Sequence, residues 1–177
     1  MAGDARRGGE IADAVSGGEI QAIASVASAL GWLRIAASES GICRVSLQQD
    51  QAAWQGHSLV ARALAADAAA QLREYFDGHR TRFELPLDLS AGSHFQQAVW
   101  RATQEVPFGA HVAYGHIAAA IGMPQAGRAV GQALKRNPLL ILVPCHRVVR
   151  MRGGLGGFRA GEDAKLWLLR HEGAILL

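Results

Sequence analysis

The alternation of apolar and polar positions divides the chain into short periodic segments separated by glycine, proline and charged residues. Leu30–Ile35 and Ile42–Leu47 are apolar-rich runs separated by residues 36–41, the pattern of two strands joined by a turn, so a small antiparallel sheet is expected. His57–Phe76 is rich in Ala and Leu, with apolar residues at Leu64, Ala68 and Leu72, and it stops before Gly78. That spacing predicts a helix with a glycine stop. Thr81–Leu89 contains Pro86 and reads as an extended linker.

A sharper signal follows. Ser93-His94-Phe95-Gln96 has capping-box spacing, in which Ser93 accepts from the third helical amide while Gln96 reaches back. A helix over Phe95–Val106 results, broken by Pro107-Phe108-Gly109. A second helix over His116–Ile121 ends at Gly122, and a third runs over Gln125–Arg136. Two short helices around a Gly/Pro turn make a helix-turn-helix pattern, although helical hairpins are also common core structure. Leu139–Val143 is apolar and is expected to be buried and extended. The reading is α+β: a tail over 1–21, a small α/β domain with its linker over 22–89, and a mainly helical, winged-helix-like domain over 90–177.

Half of the 177 residues are hydrophobic, enough for a core and without the repeats of collagen or a coiled coil. Apolar runs such as Leu139–Val143 are far shorter than the roughly 18 residues of a membrane helix, so no span is expected. Met1–Glu19 mixes acids with Arg6 and Arg7 and has no apolar stretch. It is read as a partly disordered tail of a cytoplasmic protein rather than a secretory signal.

Charge is unevenly placed. Residues 1–90 carry 8 basic and 11 acidic side chains, and residues 91–177 carry 10 and 4. No acid lies between Glu105 and Glu162, a stretch that holds Arg128, Lys135, Arg136, Arg147, Arg150, Arg152 and Arg159. Either a solvated basic face or a nucleic-acid footprint fits. The third helix is unusually bare, with Gly127 and Gly131 at an expected cost of about 1 kcal/mol each relative to Ala, and with Ala126, Ala129 and Ala133. Tight helix packing and close approach to a phosphate-lined groove both account for it, and the flanking cations favour the groove.

The two cysteines, Cys43 and Cys145, are too few for a disulfide framework. Cys43, on an apolar strand, reads as a small hydrophobe. Cys145 follows a buried run and sits in Pro144-Cys145-His146-Arg147-Val148, where neighbouring charge is expected to lower the thiol pKa.

That segment resembles the active-site motif of the O6-alkylguanine-DNA alkyltransferases, or methylated-DNA-protein-cysteine methyltransferases. The likeness extends through Phe95, Val106-Pro107-Phe108-Gly109, Tyr114, Arg128-Ala129-Val130-Gly131, Asn137-Pro138, Gly153–Gly161 and His171-Glu172-Gly173. The hairpin from Leu30 to Ile42 is similar to the family's N-terminal domain. The resemblance implies direct repair of O6-alkylguanine, and of O4-alkylthymine, by one irreversible transfer to Cys145. His146 would take the thiol proton through a water, Glu172 would orient His146, and Tyr114 would serve the guanine leaving group.

The resemblance further implies a recognition helix in the minor groove, with the nucleotide flipped out and Arg128 filling the vacated stack. Ala129, Gly131 and Ala133 would face the groove, Val148, Phe158 and Arg159 would contact the substrate or DNA, and Asn137 would brace the active-site turn. The partner would be double-stranded DNA carrying O6-alkylguanine, bound by a monomer, with cooperativity on DNA left open. No cofactor is implied. Some relatives hold zinc in the N-terminal domain, but residues 1–90 offer only Cys43, His57 and His79 as soft ligands, so no metal is expected. The chain departs from the family pattern at Phe158, where Tyr is usual, and at Arg159-Ala160. A helix-turn-helix regulator without chemistry and a Cys-His hydrolase are the alternatives. The first does not need Cys145, and the second leaves the bare cationic helix unexplained.

Overall fold

The computed structural model describes residues 19–151 and 153–175; most of the tail expected over 1–21, and Arg152, lie outside them. Strands β1 (Ala22–Ser28), β2 (Gly31–Ala37), β3 (Ile42–Gln48) and β4 (Gln55–Gly56) form one antiparallel sheet in the order β3-β2-β1-β4. The expected hairpin is β2–β3. β1 was not expected, because in Ala-Ile-Ala-Ser-Val-Ala-Ser small residues occupy both faces and blunt the alternation on which strand assignment rests.

Helix α1 (Leu59–Phe76) starts at Ser58, whose hydroxyl accepts from the Ala61 amide. Its Ala61, Ala65, Ala68 and Leu72 are buried and packed with Val26, Leu33 and Ile35 of the sheet in one core. Alanines at this spacing let the helix lie close to the strands. Residues 81–89 form no helix, in keeping with the expected linker; they bend at Thr81 and Arg82 and are pinned to the sheet at Leu87. Ile42 donates to Pro86, and Asp88 donates back to Ile42.

The second half begins with α2 (His94–Gln104), whose capping box forms in both directions between Ser93 and Gln96. Helix α3 (Tyr114–Ala120) and helix α4 (Gly127–Lys135) follow and pack against each other, and both pack against α2. The strands β5 (Val112–Ala113) and β6 (Val148–Val149) pair in parallel. The last helix, α5 (Glu162–His171), lies beyond the elements expected from the pattern. The whole is α+β, and among the described residues no helix is long and apolar enough to cross a membrane.

Leu139–Val143 corrects the sequence reading. It is buried but not extended, because Ile141 adopts φ 71° and the chain folds back on itself. Leu142 donates to Leu140, and Val143 donates to Leu139. Its start is tied to the sheet by Val45, which donates to Pro138 and accepts from Leu140. A buried apolar run with no long partner strand must satisfy its own backbone groups, and this tight turn does so. It delivers Cys145 to a short 3-10 helix, Cys145–Arg147.

Candidate active site

Cys145 is 6 % exposed and lies on the wall of a cavity of about 900 Å³ shared with Tyr114, Arg128, Gly131, Lys135, Arg150, Phe158 and Arg159. The buried Asn137 amide bridges the preceding turn. Its Nδ2 donates to the Leu139 and Val143 carbonyls and, at 3.3 Å, to Cys145 Sγ, while its Oδ1 accepts from the Leu139 amide. The residue expected to brace the turn therefore also touches the thiol.

Behind the cysteine lies a buried ionic cluster. His146 Nε2 is 2.8 Å from Glu172 Oε1, and Arg147 donates to both carboxylate oxygens, from Nε at 2.8 Å and from the terminal nitrogen at 3.0 Å. A second terminal nitrogen of Arg147 donates to the Val106 carbonyl at 2.6 Å. The Tyr75 hydroxyl, from α1, donates to Glu172 Oε1 at 2.7 Å. Burial alone would raise the Glu172 carboxyl, but the hydrogen bonds from His146 and Arg147 outweigh it and hold the group down at about 2. Glu172 is thus an anion at neutral pH.

Burial pushes the His146 pKa down from its ordinary value, against the pull of Glu172. The imidazole is neutral at pH 7. With Nε2 facing a carboxylate, the ring proton belongs on Nε2 and the lone pair on Nδ1. That Nδ1 is buried and has no hydrogen-bond partner among the described residues.

Here the expectation of a lowered thiol pKa fails. Burial pushes the Cys145 thiol up, and the Asn137 bond and the charges of Lys165 and Arg159 only oppose that shift. The adjacent His146 is neutral and the Arg147 charge is spent on Glu172, so neither neighbour favours a thiolate in the way the motif suggests. Cys145 rests as a thiol and needs a base. Cys43 is buried as expected, its thiol donating to the Ala36 carbonyl at 3.3 Å and pushed up by burial.

Of the residues on the cationic stretch, Arg128, Lys135, Arg136, Arg150 and Arg159 are exposed. Arg147 is not, being an internal partner of Glu172. Along α4, Arg128, Ala129 and Gln132 face solvent. A Cβ on Gly127 would meet nothing within 4 Å, and one on Gly131 would touch only the Tyr114 ring at 3.7 Å, so packing within the chain does not account for the bare surface.

Two residues expected at the DNA or substrate surface are elsewhere. Ala133 is 3 % exposed because it faces α2, and its carbonyl accepts from the Trp100 indole. Val148 is fully buried in the β5–β6 pair; its amide donates to the Cys145 carbonyl and its carbonyl accepts from Lys165 Nζ at 2.6 Å.

The glycine loop presses on Tyr114. A Cβ on Gly156 would lie 2.6 Å from the Tyr114 hydroxyl, and its φ is 71°. Phe158 stands edge-on to the His146 ring, centroids 6.2 Å apart.

Sequence reasoning missed Tyr75, Lys165 and the role of Arg147. Lys165 was within reach, since helical spacing puts it on one face of α5 with Leu168, Leu169 and Glu172; it is fully buried, which pushes its pKa down to about 8. Tyr75 gave no local signal.

Comparison with known proteins agrees with this geometry. Residues 94–174 match the family model described as 6-O-methylguanine DNA methyltransferase, DNA binding domain, and residues 23–89 match its ribonuclease-like domain. A constitutive methylated-DNA-protein-cysteine methyltransferase of Bacillus subtilis is 44% identical over 149 residues, spanning 81% of this chain and 90% of that protein. One from Methanosarcina acetivorans is 46% identical over 108 residues, 61% of this chain and 69% of the relative. The crystal structure of Mycobacterium tuberculosis OGT in complex with DNA superposes with a TM-score of 0.75 at 37% identity, covering 86% of this chain and 92% of the other. With both domain models matched in order and a relative aligned over nine-tenths of its length, the chain belongs to the methylated-DNA-protein-cysteine methyltransferase family.

Proposed function

We propose that this chain repairs O6-alkylguanine, and O4-alkylthymine, in duplex DNA by a single irreversible transfer of the alkyl group to Cys145. The observation that carries the reading is the buried, unpartnered Nδ1 of His146, on a neutral ring fixed by an ionised Glu172 and adjoining a thiol that cannot ionise unaided.

In this mechanism His146 Nδ1 takes the thiol proton through a water, and Glu172 stabilises the imidazolium. The thiolate attacks the alkyl carbon in line, forming an S–C bond as the O6–C bond breaks with its electron pair on O6. Tyr114 supplies a hydrogen bond or proton to the guanine as that charge develops. Lys165 steadies the thiolate by its charge and braces Val148. The thioether product has no good leaving group, so each molecule acts once.

For the reactive carbon to reach Cys145 the nucleotide must leave the stack, at a cost of a few kcal/mol. Arg128, on the exposed start of α4 at the cavity rim, fills the gap, and Phe158 packs on the flipped base. Ala129 and Gly131 leave the helix slim enough for the minor groove, with Lys135, Arg150 and Arg159 directed at phosphates. The protein acts as a monomer.

The test is intact mass after incubation with excess duplex carrying one O6-methylguanine. A stoichiometric gain of about 14 Da at Cys145, absent in Cys145→Ala, is the expected result. Turnover without a mass change would make the protein a hydrolase, and tight binding with no gain would leave a recognition protein.

A further inference from the structure

A second hollow, of about 340 Å³, opens between the N-terminal sheet and the glycine loop, lined by Arg34, Arg44, Ser46, Gln48, Leu140 and Arg159 among others. The β2–β3 register puts its cations together. Arg34 faces Ser46 and Ala36 faces Arg44, so the two arginines are diagonal neighbours on one sheet face. Leu33, Ile35 and Val45 point the opposite way, into the core.

Arg159 reaches in from the loop as the third guanidinium, and none of the described residues lining the hollow is acidic. Arg159 also lines the cavity of Cys145, together with Arg128, Lys135 and Arg150, so it joins two hollows of the same sign. The guanidinium forks of Arg34 and Arg159 beside a hydroxyl and an amide suit the tetrahedral oxygens of a phosphate, with Arg44 adding positive charge to the wall.

We propose that this hollow binds a phosphodiester of the DNA strand that carries the lesion, beyond the nucleotide seated at Cys145, so that the N-terminal sheet grips DNA together with α4. The inference rests on the reading of the Cys145 cavity as the lesion site. DNA is favoured over a free anion because the cations continue those around the cavity instead of forming an isolated site.

The experiment measures the affinity of the full chain for a lesion duplex that seats one copy, from about 50 to 200 mM salt, for wild type, Arg34→Gln, Arg34→Lys and Ser46→Glu. Arg34→Gln should weaken binding about three- to tenfold at low salt and make the slope of log affinity against log salt shallower by about 0.9, one phosphate contact. Arg34→Lys should keep most of the slope. Ser46→Glu, which leaves every arginine in place, should weaken binding by a similar factor, so the outcome does not hang on one variant folding well. Transfer from free O6-methylguanine base, which has no phosphate, should run at the wild-type rate in Arg34→Gln.

Unchanged affinity and slope, or a loss equal at every salt concentration, overturns the proposal. So does a loss confined to duplexes long enough for two copies, which would mean contact between copies. The wild-type mass gain, measured alongside, separates failure of this inference from failure of the functional reading.

Discussion

Tyr75 and Glu172 are 97 residues apart in sequence and joined by a 2.7 Å hydrogen bond, the phenol donating to the carboxylate. Two residues of the C-terminal segment meet the same point of α1, since His171 Nε2 lies 2.8 Å from the Tyr75 carbonyl. Aromatic contacts of Tyr75 with Phe76, Phe83, Phe108 and His171 surround the junction. The last turn of α1 thus holds the carboxylate that hydrogen-bonds His146, so the sheet half of the molecule is tied directly to the ionic cluster behind Cys145.

Tyr75→Phe keeps the ring and removes only the donor. Hydrogen bonds to charged groups contribute about 1.5–3 kcal/mol, so urea unfolding at neutral pH should show a loss of that size. A variant as stable as wild type would show that the phenol contributes nothing to the cluster.

Arg147→Ala leaves Glu172 buried and short of its bidentate partner. Removing one member of a buried pair costs about 3–5 kcal/mol, so the thermal midpoint should fall well below that of any exposed arginine variant, such as Arg136→Ala. Arg147→Lys should recover little, because one ammonium cannot span both oxygens.

Both transfer and stability should fall on acidification. The His146 pKa is lowered in the folded state, so folding releases a proton between that value and the unfolded one of about 6.5. Its stability contribution is full above about 6.5 and is lost as pH falls through the folded pKa. Glu172, lowered to about 2 from 4.5, adds a further loss below 4.5 by the same sign. Single-turnover rates should drop as pH falls through the folded His146 pKa, which burial holds below 6.5, because the protonated ring can no longer accept the thiol proton. A rate that stays flat as pH falls all the way to the acid unfolding transition would remove His146 as the base.

Gly156→Ala places a methyl where the Tyr114 hydroxyl stands, 2.6 Å away, at a φ of 71° that alanine disfavours. The Tyr114 ring or the loop must shift. Single-turnover methyl transfer should slow by about tenfold or more, a misplacement effect, while Gly157→Ala, whose Cβ would meet nothing within 4 Å, should leave the rate near wild type.

Methylated protein should melt below the free form. Cys145 is buried against the Asn137 amide at 3.3 Å, and an added methyl overpacks the site by about 1–3 kcal/mol. Differential scanning calorimetry of the two forms checks this, and equal midpoints would show room for the methyl group.

Much of this protein is written locally. The capping box at Ser93 and Gln96, the glycine stop after α1 and the turn between α3 and α4 depend on residues a few positions apart, so the sequence alone places those elements. The motif around Cys145 likewise marks the proposed acceptor and its proposed base, because those residues adjoin. β1 escaped because Ala and Ser carry little contrast between the two faces of a strand, and the run before Cys145 was misread because only the sheet edge at Val45 and a left-handed Ile141 decide that it turns.

What tertiary structure alone decided is the electrical state of the site. Sequence put a histidine and an arginine beside a cysteine and suggested a lowered pKa. Folding buried all three, paired the arginine with Glu172, left the imidazole neutral and kept the thiol protonated. It also turned Ala133 and Val148 inward and brought Tyr75 to the carboxylate. Each of these results depends on desolvation and on contacts between distant segments, which residue order does not encode until the chain has closed around them.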